Sequence, residues 1–160
     1  MERTIFHVDV NSAFLSWEAV YRMKHLGGRL DLRTVCSAVG GDVTRRHGII
    51  LAKSIPARAC GIKTGETVFS ALKKCPELVL VPPNYNLYQR SSDALIRLLK
   101  EYTPLVEQYS IDEAYMDMTE STALFGPPEV VAETIRERIL QELGFTVNIG
   151  VAQNKLLAKM

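Results

Sequence analysis

The 160 residues of this chain are enough for one well-buried domain or two small interleaved ones, and a hydrophobic fraction of 47% is normal for a soluble globular protein. The 19 Lys and Arg residues nearly balance the 18 Asp and Glu residues, so the net charge of +1 lacks the basic excess that usually marks a nucleic-acid-binding domain. The sequence contains neither a secretory signal pattern nor an apolar run approaching the roughly 20 residues of a membrane span, so we expect neither secretion nor membrane insertion.

The hydrophobic pattern predicts alternating strands and helices. A continuous apolar strand opens the chain and is followed by a helix that Gly27 and Gly28 stop. Two short β-rich runs on either side of a glycine turn then favour a small hairpin. In chain order, the predictions are strand 4–8, helix 12–26, strands 34–39 and 49–53, helix 67–74, strand 78–81, helix 88–102, strands 105–109 and 114–118, helix 128–143, strand 145–151 and a helix beginning at 154.

Two features punctuate the second half of this pattern. Pro82 and Pro83 force a break before the most strongly periodic helix, which ends before Pro104. The last predicted helix begins at Asn154, and the chain stops at Met160 without a capping glycine or a terminating proline. We therefore expect the chain to be a fragment of a longer protein.

The three cysteines, Cys36, Cys60 and Cys75, are odd in number, widely spaced and free of any CxxC pattern. This spacing indicates neither a disulfide framework nor a zinc site. A reducing, cytoplasmic setting is the compartment that fits it best.

Three acidic residues, Asp9, Asp112 and Glu113, each lie at the end of a predicted apolar strand. A hard divalent cation such as Mg²⁺ prefers carboxylate oxygens together with water and substrate phosphates, and strand ends offer such oxygens with little backbone freedom. Two such ions can hold the attacking and leaving oxygens of a phosphoryl transfer. Asp9 alone could equally be a turn or helix-cap residue, and the acidic pair could be solvated side chains at an exposed turn.

The adjacency of Asp112 and Glu113 carries a geometric requirement. Two neighbouring acids repel each other and need a cation or water to compensate. Strict strand alternation would direct their side chains to opposite faces of a sheet. Both can therefore serve one cluster only if the chain kinks between them.

A basic run without acids follows the predicted hairpin turn. A charge run is usually a solvated face, but these residues alternate with apolar strand residues and could project toward a polyphosphate. Lys155, at the start of the last helix, could add a further positive charge, although an ordinary surface lysine is the simpler interpretation. The run consists of Arg45, Arg46, His47, Lys53, Arg58 and Lys63.

Four segments together carry a family resemblance over the whole chain. They are residues 8–14 (VDVNSAF), 57–65 (ARACGIKTG), 109–117 (YSIDEAYMD) and 150–159 (GVAQNKLLAK). In order and spacing they resemble the Y-family (translesion, UmuC/DinB-like) DNA polymerases. The SIDEAY segment is the most specific single motif.

This resemblance implies an α+β fold with a right-hand architecture. Residues 1–10 and 77–160 would form a ferredoxin-like palm, a sheet with helices, and residues 11–76 a small inserted fingers subdomain. The thumb and little-finger domains would be absent from this chain. The isolated chain would consequently be inactive or weakly active.

The resemblance also assigns roles to individual residues. Asp9, Asp112 and Glu113 correspond to the catalytic, metal-binding carboxylates, and the carbonyl of Val10 is a further ligand for two Mg²⁺ ions. Phe14 falls at the steric-gate position, where an aromatic ring blocks a sugar 2′-OH.

Other positions correspond to the family's nucleotide-binding segments. Arg58 and Lys155 match triphosphate contacts, and Ala13 and Leu15 flank the gate. One departure is that Ile55 stands where the family motif commonly has a tyrosine. The hydroxyl that would contact the triphosphate is thus missing.

The implied function is template-directed, error-prone extension of a primer 3′-OH with deoxynucleoside triphosphates, by two-metal phosphoryl transfer during damage tolerance and the SOS response. The implied partners are primer–template DNA, the nucleotide and, through a region beyond this chain, a sliding clamp. Two alternatives remain. A polymerase-like regulatory or scaffold subunit would bind nucleotide weakly, and a nucleotidyl cyclase would act without DNA.

Overall fold

The structure is a computed structural model, and it describes residues 2–41 and 48–160. Arg45, Arg46 and His47 of the predicted basic run lie outside the described residues. No helix in the described part of the chain combines the length and the apolar character that a bilayer span requires.

The strands are β1 (Ile5–Val10), β2 (Ser37–Gly40), β3 (Ile50–Lys53), β4 (Val79–Val81), β5 (Val106–Ser110), β6 (Glu113–Asp117) and β7 (Val147–Ala152). The helices are α1 (Ala13–His25), α2 (Ile55–Ala59), α3 (Val68–Lys74), α4 (Tyr85–Leu99), α5 (Thr122–Phe125), α6 (Pro128–Arg138) and α7 (Lys155–Lys159).

The chain divides into two compact units. The split unit comprises Met1–Asn11 and Gln89–Met160, and the continuous unit comprises Ser12–Tyr88. The palm–fingers boundary at residue 77 stays a prediction, and the two compact units divide after Tyr88. The reason is that β4 pairs in parallel with β2, which keeps residues 79–81 in the continuous unit.

The described strands of the split unit form a sheet in the order β5-β6-β1-β7, and every neighbouring pair is antiparallel. Numbered within this sheet alone, the order is 2-3-1-4, which is the ferredoxin-like arrangement of two split βαβ units. β1 lies between β6 and β7, so both of its edges are hydrogen-bonded, and nearly all of its side chains are buried. The predicted α+β fold class is confirmed.

A close approach of backbone to backbone seats α7 on this sheet. A methyl group at Gly150 of β7 would lie 1.9 Å from the carbonyl oxygen of Ala158, so only glycine permits the contact. Ala158 is buried with Ile5 and Tyr115. Asn154 caps the helix, because its side chain accepts a hydrogen bond from the Leu157 N–H at 2.9 Å.

The predicted helix 128–143 is present but is not uniform. α6 continues into a π-helical segment, Ile139–Leu143. Gly144 ends it with a φ of 87°, and its N–H donates to the carbonyls of Ile139 and Leu140. Glycine is favoured at a helix end that adopts this left-handed backbone conformation.

In the continuous unit, β2 pairs with β3 in antiparallel orientation, as the predicted hairpin requires. The sheet order among the described strands is β3-β2-β4. α2 was not predicted, because five residues are too few to show helical periodicity. Its start signals are nevertheless present, since the Ser54 hydroxyl accepts from the Ala57 N–H and Pro56 lies in the first turn.

Candidate active site

The three acidic residues of the sequence analysis meet at one end of the split unit's sheet. Asp9 in β1 lies directly opposite Glu113 in β6. The N–H of Val10 donates to the carbonyl oxygen of Asp112 at 3.0 Å. The backbone of two paired strands thus fixes the positions from which all three carboxylates extend.

The kink that the acidic pair requires is present. Residues 111 and 112 form the turn between β5 and β6, and the strand pairing is irregular between Gln108 and Ser110. The Ser110 hydroxyl lies 2.9 Å from Asp112 Oδ1 and 3.2 Å from Glu113 Oε2. Both acidic side chains therefore reach the same hydroxyl despite being adjacent in sequence.

The carboxylates differ in how their negative charge is balanced. Burial, followed by repulsion from Asp112 and Glu113, raises the pKa of Asp9 above its ordinary value. Burial also acts to raise the pKa of Glu113, but hydrogen bonds from His7, Ser110 and Lys159 outweigh it and the net pKa is lowered. The ionised form is thus disfavoured at Asp9 and stabilised at Glu113.

Two groups that the sequence analysis did not single out contact Glu113. His7 Nε2 lies 3.0 Å from Glu113 Oε1, and Lys159 Nζ lies 3.4 Å from the same oxygen. His7 precedes Asp9 by two residues, so strand alternation could have placed it on the same face. Lys159 follows Lys155 by one helical turn, so the helix period could have indicated it too.

Lys155, also on α7, contacts other residues of the sheet than Lys159 does. Its ammonium forms an ion pair with Glu107 and lies 5.6 Å from the ring centre of Tyr115. Lys159 is the lysine of α7 that contacts the acidic cluster. The role of Lys155 toward a triphosphate stays a prediction.

The donor set at the strand ends fits a hard divalent cation. It consists of carboxylate oxygens, and burial followed by repulsion from Asp112 and Glu113 raises the pKa of Asp9, an effect that a nearby cation would oppose. Mg²⁺ usually binds one or two carboxylates and completes its shell with water and phosphate, so it needs no closed protein cage. In keeping with this, the one set of three potential ligand atoms within 4.8 Å of one another in the described residues is a set of cysteine sulfurs, not these carboxylates.

Phe14, the predicted steric gate, belongs to the continuous unit. Its ring stacks on that of Tyr88, with centroids 4.4 Å apart and planes 9° from parallel. Tyr85 contacts the same ring edge-on at 6.2 Å. Two aromatic neighbours therefore fix the orientation of Phe14.

Tyr88 is itself anchored. Its hydroxyl donates to Glu18 Oε1 at 2.9 Å, and only 4% of Glu18 is exposed. Burial raises the pKa of Glu18, and the hydrogen bond from Tyr88 acts in the opposite direction. Ala13 and Leu15, which flank Phe14, are buried, so a substrate at this position would meet their backbone.

The remaining predicted contact, Arg58, is exposed in the last turn of α2. Ile55 begins the same helix and is 81% exposed. An isoleucine side chain this exposed contributes little packing. The position is open for a side chain that reaches a ligand.

Comparisons with known proteins agree on one family. Residues 8–160 match the model of the impB/mucB/samB family. The DNA polymerase IV of Clostridium acetobutylicum is 52% identical over all of this chain and 40% of that protein, and the DNA polymerase IV 1 of Halalkalibacterium halodurans is 46% identical over 99% of this chain and 36% of its own length. The crystal structure of DinB from Sulfolobus solfataricus superposes with a TM-score of 0.81 at 29% identity, over 98% of this chain and 44% of that one. The chain thus spans about two fifths of the length of its curated relatives.

Proposed function

The chain belongs to the impB/mucB/samB family, and on that premise we propose that it is the catalytic portion of a template-directed DNA polymerase of the error-prone, translesion type. The observation that carries the proposal is the meeting of Asp9, Asp112 and Glu113 at one end of a ferredoxin-like sheet. The relatives named DNA polymerase IV support the same reaction. Asp9, Asp112, Glu113 and the Val10 carbonyl would hold two Mg²⁺ ions, which when bound supply charge neutralisation for the attacking and leaving oxygens of a phosphoryl transfer.

The chain's own residues prepare this centre. His7 and Lys159 keep Glu113 ionised and oriented, and Ser110 holds Asp112 and Glu113 on the same side of the turn. Preorganised charged groups of this kind reduce the rearrangement that the reaction demands. Catalysis would consist mainly of positioning rather than covalent chemistry.

On the family resemblance, Phe14, Arg58 and Lys155 would each contact the incoming nucleotide. The stacked ring of Phe14 would exclude a ribose 2′-OH, with the backbone of Ala13 and Leu15 alongside. Arg58 offers an exposed guanidinium whose fork suits a phosphate. Lys155 would contribute to triphosphate binding after exchanging its ion pair with Glu107.

The whole protein would act on primer–template DNA and deoxynucleoside triphosphates in the cytoplasm during damage tolerance. A sliding clamp would be contacted through a region beyond this chain. The palm would correspond to the split unit and the fingers to the continuous unit. These assignments rest on family membership together with the cluster of acidic residues.

The direct test is primer extension by the full-length protein carrying Asp112→Asn. We expect extension to fall by roughly 100- to 1,000-fold, because removing one preorganised polar group from an active site typically has an effect of that size. Asp93→Asn is the matched control, since Asp93 is an exposed acid of the same unit on α4. Circular dichroism of both variants should match that of the wild type. Normal extension by Asp112→Asn would refute the polymerase proposal.

The alternative of a scaffold subunit makes a different prediction for the unmodified protein. Such a subunit would neither extend a primer nor bind a deoxynucleoside triphosphate in a Mg²⁺-dependent way.

A second variant, Phe14→Ala, should increase ribonucleotide incorporation while extension with deoxynucleotides persists. Unchanged sugar discrimination would remove Phe14 from the gate position.

A further inference from the structure

Three sulfur atoms converge in the continuous unit, far from one another in sequence. Cys36 immediately precedes β2, Cys60 follows α2 and Cys75 follows α3. The Sγ atom of Cys36 lies 3.1 Å from that of Cys75 and 3.9 Å from that of Cys60, and all three sulfurs lie within 4.8 Å of one another. The sequence analysis dismissed these cysteines on their spacing, and the fold brings them together.

The spacing of the sulfurs suits a single small cation. A Zn–S bond is about 2.3 Å long, so two thiolates of a tetrahedral site lie about 3.8 Å apart. The Cys36–Cys75 and Cys36–Cys60 separations bracket that value. The Cys60–Cys75 separation is at most 4.8 Å, so adjustments of about 1 Å or less would give the tetrahedral geometry.

The backbone already holds each cysteine in place. The carbonyl of Cys36 accepts from the Val79 N–H at 3.0 Å, across the β2–β4 pair. The N–H of Cys60 donates to the Ala57 carbonyl at 3.1 Å, and that of Cys75 to the Ala71 carbonyl at 3.0 Å. A ligand would thus order no flexible loop.

The surroundings combine an apolar wall with an open side. Cys75 is buried in the unit's hydrophobic cluster, Cys36 is half-buried against it, and Cys60 is exposed. An ion could therefore enter from the side of Cys60, where water could fill a fourth position. Lys74, next to Cys75, donates to the carbonyl of Gly61, next to Cys60, at 2.9 Å, so a positive charge bridges two of the ligand-bearing segments.

We propose that Cys36, Cys60 and Cys75 form a binding site for one soft, thiophilic cation, of which Zn²⁺ is the representative. Thiolates select this class of metal over Mg²⁺, which prefers oxygen. Binding forms three metal–sulfur bonds and releases three thiol protons to solvent, and a water molecule occupies the fourth position. The resulting net charge of −1 is adjacent to Lys74.

Occupation of this site would tie together α2, α3 and β2. Arg58 lies two residues before Cys60, so the cation would fix the helix that carries a proposed triphosphate contact. The site is distinct from the carboxylate cluster in both donor type and unit. It does not depend on the polymerase proposal.

The test uses the 160-residue chain, freed of metal with a chelator under reducing conditions and titrated with Zn²⁺ in competition with a chromogenic chelator. We expect one equivalent to bind and the melting temperature to rise, because a ligand that binds only the folded state stabilises it. X-ray absorption at the zinc edge should show three sulfur neighbours. Cys60→Ser should weaken binding by roughly 100-fold or more, since one of three strong ligands is lost.

The matched control is Asp112→Asn, which should bind Zn²⁺ as tightly as the wild type. Cys60 is exposed, so the serine variant is expected to fold, and Cys60→Ala provides a second replacement. Equal Zn²⁺ affinity in the wild type and both Cys60 variants would overturn the proposal. So would an X-ray absorption spectrum of the zinc-loaded chain that shows no sulfur neighbour.

Discussion

The two units assemble potential metal ligands in opposite ways. In the split unit the donors are carboxylates at strand ends, where burial and then repulsion from Asp112 and Glu113 raise the pKa of Asp9. In the continuous unit the donors are thiols in contact with one another. There, burial and then hydrogen bonds with Cys75 and Cys60 raise the pKa of Cys36 to about 12, so the Cys36 thiol is neutral at physiological pH.

This contrast indicates that the charge of the ligand atoms limits how closely they approach one another in the metal-free protein. The neutral Cys36 thiol can approach its neighbours closely, because it carries no charge and the apolar side chains around it favour its burial. Ionised carboxylates remain apart until a cation offsets their repulsion. The ligand atoms of a soft-metal site can therefore lie close together without the metal, whereas those of a hard-metal site lie farther apart.

The comparison can be tested first on the packing of α7, which has the largest expected effect. Gly150→Ala places a methyl group against the Ala158 carbonyl, so α7 must move away from the sheet. We expect the free energy of unfolding to fall by about 3 kcal/mol or more. Hydrogen exchange should increase first in peptides from β7 and α7, and Zn²⁺ binding should be unchanged.

Gly27→Ala is the control for this substitution in the continuous unit. Gly27 has a φ of 60°, and a methyl group there would meet no atom within 4 Å. We expect a loss of only about 1 kcal/mol from the left-handed backbone. Equal losses in the two variants would contradict the close packing of α7.

The next largest effect concerns the buried pair of the continuous unit. Tyr88→Phe keeps the ring that stacks on Phe14 but leaves Glu18 without the hydroxyl that donates to it. We expect a loss of about 2 kcal/mol, because a buried acceptor loses its hydrogen bond. Urea unfolding followed by the fluorescence of Trp17, the single tryptophan, measures it.

Tyr85→Phe provides the comparison for Tyr88→Phe. Tyr85 also contacts Phe14, but it is largely exposed. The free energy of unfolding of the Tyr85→Phe variant should differ from that of the wild type by less than about 0.5 kcal/mol. A similar loss in both variants would show that the hydroxyl of Tyr88 has no special role.

Acid should weaken the continuous unit through Glu66. A hydrogen bond from the Lys63 N–H is the largest cause that lowers the pKa of Glu66 to about 2, and Lys74 and Ser70 assist against the opposing effect of burial. Because this folded-state pKa lies below the ordinary value of 4.5, the stabilisation is present above pH 4.5 and is lost as the pH falls toward about 2.

Glu66→Gln should therefore reduce the free energy of unfolding by about 1–2 kcal/mol at pH 7, and the difference from wild type should shrink toward pH 2. Urea titrations at several pH values measure it. Glu77→Gln, at an exposed position of the same unit, is the control, and it should change the free energy of unfolding at pH 7 by less than about 0.5 kcal/mol. A difference that stays constant with pH would contradict the assignment to Glu66.

The smallest expected effect on stability is at Ile55. Because this side chain is 81% exposed, Ile55→Tyr should change the free energy of unfolding by less than about 0.5 kcal/mol. If the position faces a triphosphate, the added hydroxyl should tighten nucleotide binding about fivefold in the full-length protein, the value of one hydrogen bond. Ile55→Phe adds the ring without the hydroxyl, and an equal gain from it would contradict the hydrogen bond.

Much of the fold could be predicted from local pattern. β1, α1, the hairpin and α3 lie within a few residues of the predicted positions, because their apolar runs and glycine or proline boundaries are short-range signals. α2 was missed since a five-residue helix shows no periodicity. The boundary after Tyr88 could not be predicted either, because it depends on the pairing of β4 with β2.

The candidate site divides in the same way. Asp9, Asp112 and Glu113 were identified because each follows an apolar strand within a recognisable motif. Lys159 and His7 were not, since their role depends on contacts with Glu113 across paired elements. The convergence of Cys36, Cys60 and Cys75 left no trace in the sequence, because 24 and 15 residues separate neighbours along the chain and only the tertiary structure joins them.

The position of β1 in the middle of its sheet also bears on biosynthesis. β1 is synthesised long before its partner strands. The ribosome must add well over a hundred residues after β1 before β7 is complete. At typical elongation rates this interval is roughly 7 to 30 s. The nascent strand is thus exposed to aggregation or chaperone capture during that time, whereas the continuous unit can complete its contacts while synthesis is still under way.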